Sequence, residues 1–218
     1  MSASARLPSD VVFTPSVKAL QEARGSRHAY ARLEQGGGWQ TGITQGIKGF
    51  IEAQTTLFMA TANLAGQPYM QHRGGPAGFL HVLDEHTLAF ADFTGNRQFI
   101  STGNLHDNPK AQLFLMDYAH RQRVKIWGEA RVETDPALIE RLLPAGYEAR
   151  AEQAIVFTVK AWNANCPQHI PQLLEASEVV SAIAERDRRI AELEAEVARL
   201  VRMVRPFAGS GDAGIVGA

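Results

Sequence analysis

The sequence has a single cysteine, Cys166, which excludes an intramolecular disulfide and a metal site built from several cysteines. It has no uninterrupted apolar run long enough to span a bilayer, and its first ten residues lack the apolar core of a signal peptide. Neither sign of charge predominates, because 22 Lys and Arg oppose 23 Asp and Glu. We therefore expect a cytoplasmic protein that has neither nucleic acid nor a membrane as its partner.

The chain also lacks the GxGxxG motif of dinucleotide-binding folds, a catalytic triad and a pair of acidic catalytic residues. It has 218 residues, of which 45% are hydrophobic, and these are enough for a sizeable core. Six or seven short segments rich in β-branched and aromatic residues lie between positions 55 and 165. Little helix separates them, so the sequence predicts a mainly β (α+β) fold with an antiparallel barrel or sandwich.

Helical spacing is confined to a few segments around these strands. The spacing predicts a helix over 15–33 that is broken at Gly25, and a second helix over 44–54. A short helix is expected to open at Arg97 and Gln98 and to end near Asn108, and another is expected over 136–152. These helices are predicted to flank the β domain.

The last part of the chain has a different pattern, in which apolar residues alternate at steps of three and four. The apolar positions are Val179, Ile183, Ile190, Leu193, Val197, Leu200 and Val204, and Arg186 is the only break. This pattern is typical of a two-stranded parallel coiled coil. The alternative interpretation is an amphipathic helix that packs on its own β domain. We expect an N-terminal arm at 1–40, a β domain at 41–170, the helix at 171–206 and a disordered tail at 207–218.

Two arginines stand beside turns, where they suit an anion. Arg73 precedes Gly74 and Gly75, which would let a ligand approach the backbone, and Arg97 follows Asn96 at the expected helix start. A guanidinium donates two parallel hydrogen bonds to a phosphate. The alternative interpretation is that each arginine is solvated or paired with a carboxylate such as that of Asp92.

Together these segments resemble a known family. The segments are QHRGGPAGF, TGNRQF, STGNLHDN and RVKIWGEARV, within residues 26 to 170. They resemble the pyridoxamine 5'-phosphate oxidase-like family of FMN-binding split barrels. The resemblance implies a homodimer of six-stranded antiparallel split β-barrels with FMN at the subunit interface.

The resemblance also implies roles for particular residues. Arg73 and Arg97 would contact the FMN phosphate, with Asn96 and Gln98 assisting. The other implied contacts are Gln71, His72 and Gly74 beside the ribityl chain or flavin edge, Asn104 closing the site, and Gln168 and His169 reaching the partner's flavin. Gln122 or Arg123 would contact the flavin where the family's oxidases have a glutamine, the register being open by one residue.

Cys166 has three interpretations: a reactive thiol, a metal ligand together with His169, or a small side chain packed near the flavin. Too few metal ligands surround it, so the packed interpretation is favoured and no metal is expected. The Arg-x-His motif with which true pyridoxamine-phosphate oxidases bind their substrate does not follow the last strand.

The resemblance therefore implies an FMN-dependent oxidoreductase that takes hydride from NADH or NADPH. Its electron acceptor would be oxygen, flavin or a small organic molecule. Two alternatives stay open: a flavin-binding carrier or sensor without turnover, and pyridoxamine 5'-phosphate oxidase itself.

Overall fold

A computed structural model describes residues 7–165 and 167–204 of the protein. The chain divides into two compact units, one up to Pro171 and one from Gln172 onward. Cys166 and the tail at 207–218 lie outside the described residues, so the predictions made for them stay predictions.

The first unit is built on one antiparallel sheet with the strand order β2-β1-β5-β6-β7-β4-β3. Its strands are β1 (Thr56–Ala62), β2 (Pro68–Gly74), β3 (His81–Asp84), β4 (Thr87–Phe93), β5 (Lys110–Asp117), β6 (Gln122–Glu133) and β7 (Ala151–Asn165). The mainly antiparallel β fold with flanking helices is confirmed, but the expected count of six strands is wrong. The sheet has seven strands because the short segment His81–Asp84 pairs with β4 as a strand of its own.

The larger hydrophobic cluster lies on one face of this sheet, because side chains alternate between the two faces of each strand. Leu57 and Met59 of β1, Leu113 and Leu115 of β5 and Ile126 of β6 have no exposed surface. Each such side chain contributes about 2 kcal/mol relative to full exposure. The residues between them on β1 and β5 are half-buried. A smaller cluster with Ala89, Ala154 and Leu142 packs on the other face.

A bulge at Lys160 of β7 leaves little room between this strand and β6. The pairing of β6 with β7 shifts register between Trp127 and Gly128. A Cβ atom on Gly128 would lie 2.0 Å from the backbone oxygen of Thr158 and 2.7 Å from Cε1 of Phe157. Only glycine fits there, since real Cβ atoms do not approach other atoms so closely.

The N-terminal helices agree with the sequence. Helices α1 (Pro15–Ala23) and α2 (Arg27–Gln35) are separated at Gly25, whose φ is +75°, and α3 spans Gln45–Glu52. The predicted break at Gly25 and the predicted helix after Thr44 are thus confirmed. A positive φ favours glycine, which explains why the helix is interrupted there.

Two helix predictions need correction. Helix α4 spans Ile100–Asp107 and does not open at Arg97, because Arg97 and Phe99 adopt left-handed φ values of 59° and 54°. Helix α5 spans only Pro136–Leu142 and does not reach position 152. Gly146 in the segment after α5 has a φ of +72°, and β7 already begins at Ala151.

The second unit contains one long helix, α6 (Ala176–Val204), as the sequence predicted. At 29 residues it is about 43 Å long, given a rise of about 1.5 Å per residue. No helix within the described residues combines the length and apolarity needed to cross a membrane.

Candidate functional site

A polar cavity of about 250 Å³ lies where β2, the ends of β4 and β7, and the start of α4 meet. Its walls are formed by Tyr69, Gln71 and Arg73 of β2, by the run 92–102, and by Glu152 and Gln153. Five of the residues expected from the sequence therefore line one cavity, namely Gln71, Arg73, Asn96, Arg97 and Gln98.

Arg73 is the buried cation of this cavity. Its side chain is 16% exposed, and its Nη1 lies 2.5 Å from Oδ1 of Asp92, whose side chain is 10% exposed. The alternative interpretation, that Asp92 pairs with an arginine, is thus realised for Arg73. The Nε of Arg73 is nevertheless buried without a hydrogen-bond partner. A buried donor left unpaired costs about 1–3 kcal/mol, so this atom is matched to a further acceptor.

A hydrogen-bond network holds the Arg73–Asp92 pair against α4. The Nε2 of Gln153 donates to Oδ2 of Asp92 at 2.8 Å and to Oγ1 of Thr102 at 2.9 Å. The Oγ of Ser101 donates to Oε1 of Gln71 at 2.7 Å. Strands β2, β4 and β7 are therefore each tied to the first turn of α4, which fixes the polar walls of the cavity.

Arg97 is the exposed cation of the cavity. Its side chain is 63% exposed, its Nη2 lies 3.4 Å from Oε1 of Glu152, and its guanidinium carbon lies 5.8 Å from the centre of the Phe99 ring. The Oδ1 of Asn96 accepts a hydrogen bond from the backbone N–H of Gln98 at 3.2 Å, which shapes the loop. Arg97 therefore has a weak carboxylate partner and retains most of its hydrogen-bonding capacity.

The prediction that Asn96 and Arg97 stand at a helix start is wrong in its details. Ile100, Ser101 and Thr102 are the first residues of α4, and all three line the cavity. Backbone N–H groups in a first helical turn have no partner within the helix, and the helix dipole favours an anion there. The helix end thus still faces the cavity, but three residues later than expected.

The two glycines after Arg73 are closely packed, and the expectation that they let a ligand approach the backbone stays a prediction. A Cβ atom on Gly75 would lie 2.7 Å from Cβ of Phe79, and one on Gly74 would lie 3.2 Å from the backbone oxygen of Thr55. Neither glycine lines the polar cavity. Their lack of a side chain permits close packing inside the protein.

Two other expected residues have different surroundings. His72 neighbours Arg73 on β2 but lies on the opposite face, where its Nε2 is 2.6 Å from Oγ1 of Thr56. The Nδ2 of Asn104 donates to Oγ1 of Thr61 at 3.0 Å and so ties α4 to β1. Neither residue lines the polar cavity.

The remaining expected residues lie at the other end of β7. Gln153 at the cavity is twelve residues from Asn165 along this strand, which rises about 3.3 Å per residue. Arg123 pairs with Asn165, next to Gln122. Gln168 and His169 follow the strand in an exposed turn. The Nε of Arg123 is buried without a hydrogen-bond partner, as is Oδ1 of Asn163. One chain therefore does not bring the two groups of residues together.

Sequence reasoning missed several residues of the cavity: Ser101, Thr102, Glu152 and Gln153. Ser101 is 2% exposed, and no local motif distinguishes it from an ordinary helix residue. Glu152 was assigned to the end of a helix that ends ten residues earlier, and Gln153 followed that helix directly. A correct start for β7 would have placed their side chains beside β4.

The cavity has the composition of an anion site that carries its own counterions. Two arginines, side-chain amides and hydroxyls, and the first turn of α4 line it together with the carboxylates of Asp92 and Glu152. Whether a phosphate suits this cavity can be judged from the Nε of Arg73, which is buried and lacks a hydrogen-bond partner. A phosphate oxygen supplies the acceptor that this donor lacks, so these residues fit such a group.

The comparisons with known proteins give the family. A model described as pyridoxamine 5'-phosphate oxidase matches residues 43–166, which is more than half of the chain. The chain therefore belongs to this family, as the sequence motifs indicated. Proteins of the family are typically dimeric, and they include oxidoreductases and flavin-binding proteins.

Solved structures with similar folds come from several bacteria. HupZ from Group A Streptococcus is 22% identical, with a TM-score of 0.45 over 54% of this chain and 89% of that one. A putative pyridoxamine 5'-phosphate oxidase from Lactobacillus delbrueckii is 18% identical, with a TM-score of 0.44 over 56% and 94%. An FMN-binding protein from Syntrophomonas wolfei is 10% identical, with a TM-score of 0.44 over 72% and 99%. No curated protein matches the sequence.

Proposed function

We propose that the polar cavity binds the phosphate of FMN and that the protein is an FMN-dependent oxidoreductase. The observation that carries this proposal is the position of Arg73, which shares a cavity with Arg97 and whose buried Nε has no hydrogen-bond partner. Family membership supports a flavin as the group that carries the phosphate.

Different residues of the cavity would contribute different contacts to the phosphate. Asp92 holds Arg73 in place, and Arg73 supplies a buried hydrogen-bond donor. Arg97 supplies an exposed charge, which exchanges its contact with Glu152 for a contact with the phosphate. The backbone N–H groups at the start of α4 would add donors at the helix end. The bond between Ser101 and Gln71 keeps these donors in place before the ligand arrives, which lowers the entropy lost on binding.

When bound, FMN supplies the redox chemistry: it takes a hydride from NADH or NADPH and delivers two electrons to oxygen, another flavin or a small organic acceptor. The chain's own part is to bind the cofactor and to hold charge beside it. This division suits a cavity that contains arginines, amides and hydroxyls and lacks the Ser-His-Asp arrangement of a hydrolase.

The residues at the far end of β7 support a homodimeric site. Gln122, Arg123, Gln168 and His169 lie too far along β7 to reach the polar cavity of their own chain. In the proposed homodimer they reach the FMN bound by the other copy. The buried, unpaired Nε of Arg123 is the donor that this arrangement would satisfy, and its fixed charge would lie beside the flavin.

The direct test is a binding titration of the purified protein with FMN and with riboflavin, which lacks the phosphate. We expect a yellow complex with FMN and binding of riboflavin at least about thirtyfold weaker, which corresponds to about 2 kcal/mol for the charge-assisted contacts. Equal affinity for the two flavins would contradict the phosphate assignment. No binding of either would contradict the proposed function.

A further inference from the structure

Helix α6 carries an apolar stripe that is left exposed among the residues the structure describes. We call this stripe the α6 seam: Val179, Ile183, Ile190, Leu193, Val197 and Leu200, with Arg186 as its one polar position. Exposure of the apolar members runs from 39% at Val179 to 58% at Val197. Six apolar side chains in one line on a helix of 29 residues are a surface that a partner is expected to cover.

The spacing and the residue types of the α6 seam suit a coiled coil of two helices. Its members alternate at steps of three and four, so Ile183, Ile190 and Val197 occupy a positions. Leu193 and Leu200 occupy d positions in the same register. β-Branched residues at a combined with leucine at d favour two parallel strands over three or four.

The rest of the helix needs no partner. Arg189 pairs with Glu192 at 2.9 Å and Arg199 pairs with Glu196 at 2.5 Å, each one turn away on the same helix. The segment 176–204 has six acidic and five basic residues, so its net charge does not oppose self-association. Ion pairs within the helix therefore satisfy these charged side chains, whereas the apolar stripe is left exposed.

The charges beside the α6 seam distinguish the two possible orientations. In a parallel pair, Arg189 at a g position stands opposite Glu194 at the following e position of the second copy, which is attractive. In an antiparallel pair centred on the same stripe, e faces e and g faces g, so Asp187 meets Glu194, which is repulsive, while Arg189 meets Glu196, which is attractive. Only the parallel pair has an attractive contact without a repulsive one. The charges therefore favour the parallel orientation.

We propose that the α6 helices of two copies of this chain pair in parallel through the α6 seam. The proposal goes beyond flavin binding and does not depend on it, because it rests on a separate unit of the chain. Arg186 stands at a d position, where it bonds to Oδ1 of Asp187 at 2.9 Å. A polar residue at one core position fixes the register of a coiled coil at some cost in stability.

Cross-linking of the full chain tests both pairing and orientation. In a Cys166→Ser background, Leu200→Cys places identical thiols opposite each other only in a parallel pair. Mild oxidation should convert most of this variant into a covalent dimer on a non-reducing gel. The matched control is Ala198→Cys, two residues away on the outer face, which should stay largely monomeric on the same gel.

Two results of this experiment would overturn the proposal. If Leu200→Cys cross-links no better than Ala198→Cys, the stripe does not pair with a second copy, and its own β domain or another protein covers it. If Leu200→Cys cross-links only when mixed with Ile183→Cys, the helices pair in the antiparallel orientation.

A double substitution gives an independent measure. Leu193→Lys with Leu200→Lys places four like charges in the proposed core, so the helical signal at 222 nm should melt at least about 5 °C lower. Its dependence on protein concentration should also weaken, although the proposed contact between the β domains remains. Ala191→Lys with Ala198→Lys adds the same charge to the outer face and should leave both unchanged. Equal effects of the two double variants would contradict pairing through the α6 seam.

Discussion

Arg73 and Asp92 form a buried ion pair that joins β2 to β4, with Nη1 and Oδ1 2.5 Å apart. Asp92 is 8% exposed, and its other oxygen accepts a hydrogen bond from Gln153. The carboxylate therefore fixes the guanidinium at the cavity wall, and the buried Nε is left without a hydrogen-bond partner. Preorganisation of this kind lets a binding site meet its ligand without first ordering a long side chain.

Removal of the cavity arginines should weaken FMN binding unequally. Arg73→Ala should cost about 2 kcal/mol, or about thirtyfold in Kd, because its contact is buried. Arg97→Ala should cost about 1 kcal/mol, or about fivefold, since its side chain is 63% exposed. A titration followed by flavin fluorescence measures both. Arg131→Ala, on an exposed arginine of β6 outside the cavity, is the control and should bind as the wild type does. Unchanged affinity in both cavity variants would refute the assignment.

Neutralisation of Asp92 should make the stability of the protein depend on bound FMN. Asp92→Asn leaves the charge of Arg73 buried without a counterion, which should lower the free energy of unfolding by about 3 kcal/mol. Because the phosphate can replace the missing carboxylate, saturating FMN should raise the Tm of this variant by more than it raises that of the wild type. Thermal unfolding with and without FMN measures both effects. Equal FMN-induced shifts would mean that the phosphate does not meet Arg73.

Mixed dimers should reveal whether one site takes residues from two chains. Arg73→Ala and Arg123→Ala each damage one half of the proposed site, so their co-expressed mixture should recover about a quarter of the wild-type FMN sites. The sites are counted by flavin absorbance after gel filtration. A mixture of Arg73→Ala with Arg97→Ala is the control and should recover no site of wild-type affinity, because both residues line the same cavity of one chain. If the first mixture recovers no sites either, residues of one chain alone bind the flavin.

Reduction of the flavin by NADH or NADPH should distinguish an enzyme from a flavin carrier. We expect anaerobic NADH or NADPH to bleach the flavin band in stopped-flow absorbance. Readmitted oxygen should restore the band and yield one hydrogen peroxide for each nucleotide oxidised, since two electrons and two protons are transferred. If neither nucleotide bleaches the flavin at millimolar concentration, the carrier or sensor hypothesis replaces the oxidoreductase.

Gly128 of β6, opposite the bulge of β7, should tolerate no side chain. Gly128→Ala places a methyl group 2.0 Å from the oxygen of Thr158, so it should lower the free energy of unfolding by about 3 kcal/mol or more. Gly49→Ala is the matched control, because nothing lies within 4 Å of its added Cβ and its place in α3 favours alanine by about 0.5–1 kcal/mol. Urea unfolding compares the two variants. A mild effect of Gly128→Ala would show that the strands can separate there.

The sequence predicted the elements that have strong local signals. The break at Gly25, the strands around the core and the stripe along α6 each follow from periodicity or from one turn residue. The helix expected over 136–152 was wrong beyond Leu142 because pairing of β7 with β4 and β6 outweighs local helix propensity. The start of α4 was misplaced because two non-glycine residues adopt left-handed φ values, which no local pattern predicts.

At the candidate site, too, some features follow from the local sequence and others only from the tertiary structure. By itself the sequence determined that Arg73 and Arg97 stand beside turns, because residue type and spacing are local properties. Only the tertiary structure decided that they share a cavity, that Asp92 pairs with the first and Glu152 with the second, and that His72 lies on the other face of β2. These facts depend on the register between strands far apart in the chain, and a shift of one residue turns every side chain of a strand to the opposite face.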